Sequence, residues 1–441
     1  MNGRGFHTVT LGCKLNQFDT AAIEGELVRR GFHAERDPAR ASVIVVNTCT
    51  VTGKADADAR KRIRHLRRAN PGCRLLVTGC YAELDPRAIR SIEGVDGVFG
   101  NQEKSRLPRI LDELGIGAEK VAAAGGDRGC DATLSMPRAL HFGDRSRAFL
   151  RVQEGCRLAC SYCIIPKVRG ASRSLPPDAV REAARSLYRA GYREIVLTGV
   201  NVGDYGRDLE PSIDLAGLLR GLLADCGSNR IRLNSLEPLT VTDEIVELLV
   251  TEDRLASHLQ VPLQSGSDTT LGRMRRNYRT ATYLDRLGGL RAAVPDIGLG
   301  ADVIVGFPGE TDALFEETHD LIAASPLNYL HVFAWSPRPG TPAAELPDRV
   351  HGSAVRERSA RLRALGDELS YRFRKRFENR RLEAVVLGDR KTDGRSRALT
   401  GNFIEVALEG GAPPRGELLG IRVERVTGEE TRAVLDGFPG S

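Results

Sequence analysis

Three cysteines within eight residues form the most specific chemical motif of the chain. Cys156, Cys160 and Cys163 have the spacing C-x3-C-x2-C and follow a short apolar stretch, Phe149–Val152. Thiolates are the donors that iron–sulfur clusters use, and three of them on one loop can bind three irons of a [4Fe–4S] cube. The fourth iron would then lack a protein ligand. A zinc loop, the alternative, would need a fourth protein ligand, and no His or Cys follows at zinc-finger spacing.

The motif resembles the signature of the radical SAM superfamily, including Tyr162 immediately before its last cysteine. In that superfamily S-adenosylmethionine chelates the open iron and is cleaved to a radical, a reaction that belongs to the cofactor. Three further segments end predicted strands and resemble the superfamily segments that contact the methionine, ribose and adenine groups. The residues nominated in these segments are Gly199 and Asn201, Ser235 and Glu237, and Ile304 and Gly306.

A second set of cysteines is widely separated in sequence but occupies equivalent places in the predicted fold. Cys13, Cys49 and Cys80 each come just after an apolar, β-branched stretch. The carboxyl ends of parallel strands share one sheet edge, so three such residues can converge on one ligand. The sequence therefore predicts a second [4Fe–4S] cluster, also with one open iron. Three buried structural cysteines are the alternative interpretation.

The other three cysteines lack that placement. Cys73 precedes its predicted strand, Cys130 falls in a segment rich in Gly, Ala and Asp, and Cys226 lies in a glycine-containing loop, so we interpret them as structural. No apolar run of 18 residues and no leader pattern occurs, which predicts a cytoplasmic protein without a membrane partner. In that reducing compartment a chain of 441 residues is not expected to use its nine cysteines for a disulfide framework.

Alternating strand and helix patterns predict an α/β chain with three folded parts. Residues 1–115 have the pattern of a Rossmann-like parallel sheet covered by helices. Its predicted elements are strands Phe6–Leu11, Ser42–Val46 and Arg74–Thr78 and helices Asp19–Arg30 and Ala55–Ala69. Residues 116–141 are predicted to form a linker.

Residues 142–375 contain six strand and helix units, which predict a partial (β/α)6 barrel, although the pattern does not separate it from a complete eight-stranded barrel. The six predicted strands are Phe149–Val152, Glu194–Thr198, Arg230–Asn234, His258–Pro262, Gly300–Val305 and Tyr329–Ala334. Residues 376–441 predict a small OB-like barrel of five antiparallel strands. These strands are Leu382–Leu387, Ser396–Thr400, Phe403–Leu408, Glu417–Arg425 and Thr431–Leu435.

Together these features resemble the methylthiotransferase family along essentially the whole chain. The matching stretches include Thr10–Asn16, Asn47–Thr52, Gln153–Cys156, Pro166–Gly170, Pro262–Ser267, Gly306–Thr311 and Ser336–Thr341. The resemblance implies an amino-terminal domain with an auxiliary cluster, a radical SAM barrel and a carboxyl-terminal TRAM domain. It also implies a substrate: a hypermodified adenosine at position 37 of tRNA or, in one branch, an aspartate of a ribosomal protein.

The segment Cys13–Gln17, Cys-Lys-Leu-Asn-Gln, is similar to the branch that acts on N6-threonylcarbamoyladenosine. The isopentenyladenosine branch usually has Gln-Met-Asn after the cysteine, and the ribosomal-protein branch has Pro-Lys-Asn. The partners implied are a threonylcarbamoylated tRNA that decodes ANN codons, a reductase such as flavodoxin or ferredoxin, and an unidentified sulfur donor. The rival from another class is a non-catalytic iron–sulfur protein that binds RNA as a regulator.

The resemblance implies that the cluster on Cys13, Cys49 and Cys80 carries the sulfur that one S-adenosylmethionine methylates. The cluster on the C-x3-C-x2-C loop then cleaves a second molecule, and hydrogen is abstracted from C2 of the adenine. Such a carbon is neither acidic nor electrophilic enough for acid–base catalysis, which is why a radical is needed. Both clusters must therefore face one cavity.

Positive charge is concentrated in two segments of a chain whose net charge is +6. Lys54–Arg68 has seven Lys and Arg against two Asp, and Arg356–Arg381 has ten against four acidic residues. Solvated helix faces explain either segment equally well. The family resemblance implies that the small barrel and the preceding basic helix bind tRNA phosphates and that Lys54–Arg68 adds to this surface. The residues nominated for this are Arg372, Arg374, Lys375 and Arg376.

Overall fold

The computed structural model describes residues 4–116, 136–137, 142–143, 145–390 and 393–436. Cys130 and nearly all of the predicted linker, residues 116–141, lie outside the described residues, so the predictions for them stay predictions. No helix within the described ranges combines the length and the apolar character that crossing a membrane requires.

The amino-terminal part is a parallel sheet in the order β2-β1-β3-β4-β5, which confirms the predicted sheet. Its strands are β1 Gly5–Thr10, β2 His33–Ala34, β3 Val43–Thr48, β4 Arg74–Gly79 and β5 Gly97–Val98. Its helices are α1 Lys14–Arg29, α2 Gly53–Ala69, α3 Cys80–Leu84, α4 Pro86–Arg90 and α5 Leu107–Glu113. The two edge strands have only two residues each, too few to give a periodic signal in the sequence.

Helix α1 begins five residues before its predicted start at Asp19. The reason is that the helix is buried on two sides, so its apolar residues do not form a single stripe. Phe18 and Ala21 belong to the core of the barrel that follows, while Ile23 and Leu27 belong to the core of the amino-terminal sheet. Helix α1 therefore joins the two parts through one continuous packed contact.

The second part is an open barrel of six parallel strands. Its strands are β6 Ala148–Arg151, β9 Glu194–Thr198, β10 Arg230–Leu233, β11 His258–Gln260, β12 Gly298–Val305 and β13 Tyr329–Ala334. The orders β10-β9-β6 and β11-β12-β13 are joined by isolated parallel bridges such as Ser235 to Gln260. No pairing between β6 and β13 occurs in the described residues, so the barrel is the six-stranded one.

Helices surround this barrel, and one antiparallel pair lies beside it. The pair is β7 Gln153–Glu154 with β8 Arg173–Ser174. The helices are α6 Ile165–Arg169, α7 Pro177–Arg189, α8 Leu215–Asp225, α9 Asp243–Thr251, α10 Asp268–Arg273, α11 Thr280–Ala293, α12 Asp312–Ala324 and α13 Gly352–Lys375.

The carboxyl-terminal part is a closed five-stranded barrel in the order β14-β15-β16-β18-β17. Its strands are β14 Arg381–Arg390, β15 Ser396–Thr400, β16 Glu405–Glu409, β17 Leu418–Val426 and β18 Thr431–Leu435. The expectation of purely antiparallel strands is wrong for one pair, because β16 and β18 are parallel. Strand directions cannot alternate all the way around a closed ring with an odd number of strands, so one parallel pair is unavoidable.

The turn between β15 and β16 closes the amino-terminal end of the open barrel. Phe403 stacks on His258, the first residue of β11, with 4.2 Å between ring centroids. Arg232 donates to the carbonyl oxygens of Thr400 at 2.8 Å and Gly401 at 2.9 Å. Glu194 is buried, which opposes its ionisation. Arg232 and Arg230 on the adjacent strand nevertheless hold the pKa of this carboxyl well below its usual range. The opposite, carboxyl end of the strands, where α/β barrels build their sites, is not covered by this turn.

Candidate active site

Cys13, Cys49 and Cys80 lie together at the carboxyl edge of the amino-terminal sheet. Cys13 precedes α1, Cys49 directly follows β3, and Cys80 is the first residue of α3. Burial, together with the neighbouring thiols of Cys80 and Cys13, raises the pKa of Cys49 to about 11. The convergence predicted from strand order is thus present in the fold.

Glycines permit this convergence. Gly12 has a φ of +101°, and a Cβ placed on it would lie 2.7 Å from Cβ of Cys49. Gly79 has a φ of +97°, and its Cβ would lie 2.4 Å from the carbonyl oxygen of Thr48. Because other residues rarely adopt these angles and would clash here, the turns that carry Cys13 and Cys80 require glycine.

The side chain of Asn16 ties two of these turns together. Its Nδ2 donates to the carbonyl oxygen of Leu11 at 2.7 Å and to that of Thr48 at 3.0 Å, just ahead of Cys13 and Cys49. Its Oδ1 accepts a 2.6 Å hydrogen bond from Nη2 of Arg169, which belongs to the barrel part. The positions of the turns that carry Cys13 and Cys49 therefore depend partly on a contact with the barrel part.

Arg169 links the two sets of cysteines. It is buried at the end of α6, six residues after Cys163, and its Nη1 donates to Oε1 of Glu154 at 2.7 Å. Its Nη2 lies 3.1 Å from Oδ2 of Asp19 on α1. Burial opposes ionisation of Asp19, but Lys104 and two arginines hold the pKa of this carboxyl well below its usual range. Buried charges of both signs thus hold the two parts in one relative position.

Hydrogen-bond donors point at the sulfurs of both sets. The backbone N–H of Leu158 lies 3.4 Å from Sγ of Cys156, and Nη1 of Arg276 lies 3.2 Å from Sγ of Cys160. In the other set, Nδ2 of Asn101 lies 3.4 Å from Sγ of Cys80. Donors of this kind stabilise thiolates and tune the potential of iron–sulfur clusters.

The sulfurs of each trio lie farther apart than the ligands of a single tetrahedral ion. Within the described ranges, neither trio has all three sulfurs within 4.8 Å of one another. A tetrahedral zinc ion with Zn–S bonds of about 2.3 Å would bring them to about 3.8 Å. Burial and adjacent thiols raise the pKa of Cys156 to about 11 and that of Cys163 to about 12, so these cysteines are neutral until a metal replaces their protons.

The residues nominated for S-adenosylmethionine lie on the C-x3-C-x2-C loop or at the ends of barrel strands. Tyr162 and Ile304 pack against the same small apolar cluster, which contains Phe307. Gly199 runs so close to the barrel that a Cβ on it would lie 2.8 Å from Oε1 of Gln153. The same Oε1 accepts the N–H of Asn201 at 2.9 Å, while the buried Oδ1 of Asn201 has no partner among the described residues. An unpaired acceptor of this kind suits a ligand with an N–H or ammonium group.

The other nominated residues lie at the ends of β10 and β12. Glu237 forms an ion pair with Arg276, the same arginine that contacts Cys160. Ser235 is paired through the bridge to β11. Gly306 donates its N–H to Oε1 of Glu310 at 3.0 Å. The structure therefore brings Glu237 to the cluster loop through Arg276, a contact that the sequence did not reveal.

Sequence reasoning missed a group of polar residues that comprises side chains on the barrel strands and Lys14 beside them. Nζ of Lys14 donates to Oδ1 of Asn234 at 2.6 Å, and burial together with Arg147 lowers the pKa of Lys14 to about 8. On β11 to β13, Nε2 of Gln260 donates to Oδ1 of Asp302 at 2.6 Å, and Nδ1 of His331 lies 3.2 Å from the same oxygen. Lys14 stands in the segment Cys13–Gln17 and Asp302 in the predicted strand Gly300–Val305, and these placements were the available signal.

The four residues nominated for RNA binding make contacts within the protein. Arg372 pairs with Glu368 and Lys375 with Glu378. Arg374 donates to Oγ1 of Thr431 at 3.1 Å, and Arg376 donates to the carbonyl oxygen of Pro295 at 3.0 Å. Their role in RNA binding stays a prediction.

Comparison with known proteins shows which families and relatives the chain is similar to. Residues 5–100 match "Uncharacterized protein family UPF0004", and residues 150–322 match "Radical SAM superfamily". A Bacillus subtilis protein called threonylcarbamoyladenosine tRNA methylthiotransferase is 38% identical over 95% of this chain and 93% of the relative. A Frankia casuarinae protein called tRNA-2-methylthio-N(6)-dimethylallyladenosine synthase is 36% identical over 91% of this chain and 75% of the relative.

Among solved structures, the radical S-adenosylmethionine methyltransferase TsrM from Kitasatospora setae superposes with a TM-score of 0.56. It is 16% identical, covers 78% of this chain and 75% of its own, and supports the fold alone. The superfamily match gives the chain S-adenosylmethionine and an iron–sulfur cluster as cofactors. With relatives this similar along almost its full length, the chain belongs to the methylthiotransferase family of radical SAM enzymes.

Proposed function

We propose that this enzyme converts N6-threonylcarbamoyladenosine at position 37 of tRNA to its 2-methylthio derivative. The observation that carries the proposal is the buried Asn16–Arg169 contact, which joins the part that carries Cys13, Cys49 and Cys80 to the part that carries Cys156, Cys160 and Cys163. The Bacillus subtilis relative, named for this substrate, supports the branch. We infer a cytoplasmic location from the tRNA substrate, and a flavodoxin- or ferredoxin-like reductase as the electron source.

In this proposal Cys156, Cys160 and Cys163 hold the cluster that binds S-adenosylmethionine. Bound there, cluster and S-adenosylmethionine supply a radical that can take hydrogen from an unactivated carbon. The protein positions the groups: Asn201 offers its buried acceptor, and Arg276 holds both Glu237 and the sulfur of Cys160.

We assign the second cluster to Cys13, Cys49 and Cys80. The cluster assignment predicts about eight iron and eight sulfide per anaerobically purified chain, since each cube holds four of each. Replacing these three cysteines together with alanine should halve both numbers. An unchanged content in that variant would contradict the assignment.

The choice of substrate within the family rests on Lys14. The threonylcarbamoyl group carries a carboxylate, whereas the isopentenyl group is apolar and neutral. Lys14 donates to Asn234 beside the end of β10, forms no ion pair with a described residue, and with a pKa of about 8 is mostly charged at neutral pH. The isopentenyladenosine branch usually has glutamine at this position. A buried ammonium group therefore favours the anionic substrate.

The test is a reconstituted reaction with two tRNA preparations, one threonylcarbamoylated and one isopentenylated, followed by mass analysis of the nucleosides. We expect the mass increment of one methylthio group on threonylcarbamoyladenosine. A product on isopentenyladenosine alone would reject the choice of substrate, as would a methylthio increment on ribosomal protein in a third reaction that contains it in place of tRNA. Absence of deoxyadenosine after addition of dithionite and S-adenosylmethionine would favour the non-catalytic regulator instead.

A further inference from the structure

Helix α2 presents a continuous positive face to solvent. Ala59, Ile63 and Leu66 are fully buried, and they fix which side of the helix packs against the sheet. On the opposite side Lys54, Lys61 and Arg68 follow one another at intervals of seven residues, close to two turns each. At about 1.5 Å per residue this line is about 21 Å long. Arg62 and Arg64 lie on its flanks and are also exposed.

Acidic side chains of the described residues do not neutralise these cations. Lys54, Lys61, Arg62, Arg64 and Arg68 take part in none of the ion pairs in that part of the chain. The helix has two acidic residues. Asp58 is exposed, whereas Asp56 is buried and bound to Arg338 on the opposite side of the helix from the positive line, with 2.6 Å between Nη2 and Oδ2. With five cations against the single exposed Asp58, this face keeps a net positive charge for an external anion.

The positive line starts beside Cys49, one of the three cysteines at the edge of the amino-terminal sheet. Helix α2 begins four residues after Cys49, and its first residue, Gly53, donates its N–H to Oγ of Ser336 at 3.0 Å. Arg338 also donates to Oγ1 of Thr50 at 2.7 Å, so the loop after β13 holds this end of the helix in place. Between Cys49 and the helix, Val51 is 53% exposed, which shows that this edge is open to solvent.

We propose that this face of α2 binds the sugar–phosphate backbone of the tRNA beside the nucleoside that enters the cavity, an inference that rests on the proposed function. A straight line of solvent-facing cations matches the regular charges of a nucleic-acid strand. Arginines at three of the five positions provide planar donors for phosphate oxygens. The other anionic partner to consider is an acidic electron-transfer protein. A compact positive patch would be enough to bind such a protein, whereas this line of cations is about 21 Å long.

The experiment compares two triple variants of the full-length holoenzyme with equal loss of charge. The test variant is K61Q/R64Q/R68Q on α2. The control is R87Q/R106Q/R220Q, which removes three exposed arginines from three other elements. Affinity for a fluorescent tRNA transcript is measured by anisotropy at several salt concentrations. Iron content and melting temperature show whether each variant is folded and loaded.

We expect the test variant to bind the transcript at least tenfold more weakly at low salt. The slope of log affinity against log salt should become shallower by about 2 to 3, close to one for each phosphate that the protein no longer neutralises. The control should change affinity less than about twofold. Equal affinities and slopes in wild type and test variant would overturn the proposal.

A second arm distinguishes the competing partner. Reduction of the clusters by a reduced flavodoxin is followed by absorbance in the same three proteins. If only this rate falls in the test variant while tRNA affinity is unchanged, the face belongs to the electron donor and the inference is wrong. Failure of the proposed function looks different, because wild-type enzyme would then yield no methylthiolated nucleoside whatever the α2 variant does to tRNA affinity.

Discussion

Helices α2 and α13 carry seven lysines and arginines each, but most of those on α2 face solvent whereas most of those on α13 bind other residues of the protein. On α13, Arg358 donates to Oε1 of Glu310 at 2.6 Å, Arg361 pairs with Glu316, and Arg374 reaches the carboxyl-terminal barrel. On α2, five cations extend into solvent without an acidic partner in the described part of the chain. Equal charge density in the sequence therefore conceals two functions: α13 joins parts of the protein, and α2 is free to bind another molecule.

The largest effect that this comparison predicts is on stability. Replacing Arg358 by alanine leaves the buried Glu310 without its counter-charge and should lower the free energy of unfolding by about 3 to 5 kcal/mol. Arg363 lies on the exposed side of the same helix, and alanine there should cost less than about 0.5 kcal/mol. Urea unfolding of the two variants provides the measurement. Similar losses in both would show that α13 does not use its charges internally.

A second variant separates the charge of α2 from its placement. Changing Arg338 to methionine removes the partner of the buried Asp56 and should cost about 3 kcal/mol. Adding D56N should recover part of this loss, because no unpaired charge then remains. Since the cations of α2 are retained, the salt slope of tRNA binding should stay as in wild type while turnover falls. A shallower salt slope in the R338M/D56N variant would mean that the contact holding α2 in place also affects how its cations bind tRNA.

The sequence predicts the strands and helices that this comparison concerns, but not which charged or polar side chains bind one another. Strand periodicity located the central strands of both sheets, and the rule that parallel strands end at one edge brought Cys13, Cys49 and Cys80 together. The contacts that decide function join distant positions: Arg169 binds Asn16 across 153 residues, and Arg338 binds Asp56 across 282. No local pattern encodes such pairs, so internal and solvent-facing cations look alike in the sequence.

Lys14 offers an intermediate case, a largely buried cation that forms no ion pair with the described residues. Its pKa of about 8 means that it loses its proton above that pH. The ratio of kcat/KM for threonylcarbamoylated over isopentenylated tRNA should therefore fall as pH rises through about 8, because kcat/KM reports ionisation in the free enzyme. In a Lys14→Gln variant the ratio should be about ten- to a hundredfold lower and independent of pH. A pH-dependent ratio in that variant would assign the titration to another group.

The smallest effect concerns single exposed arginines on the two helices. Arg64→Gln should weaken tRNA binding about threefold and make the salt slope shallower by about one, because one phosphate is no longer neutralised. Arg372→Gln removes an arginine that Glu368 already neutralises, so binding through it must first break that pair, and we expect a smaller change. Both residues are exposed, so stability should change little in either variant. Anisotropy titrations measure the tRNA affinity of both variants. A larger loss of affinity for Arg372→Gln than for Arg64→Gln would mean that α13, and not α2, provides the cations that bind tRNA.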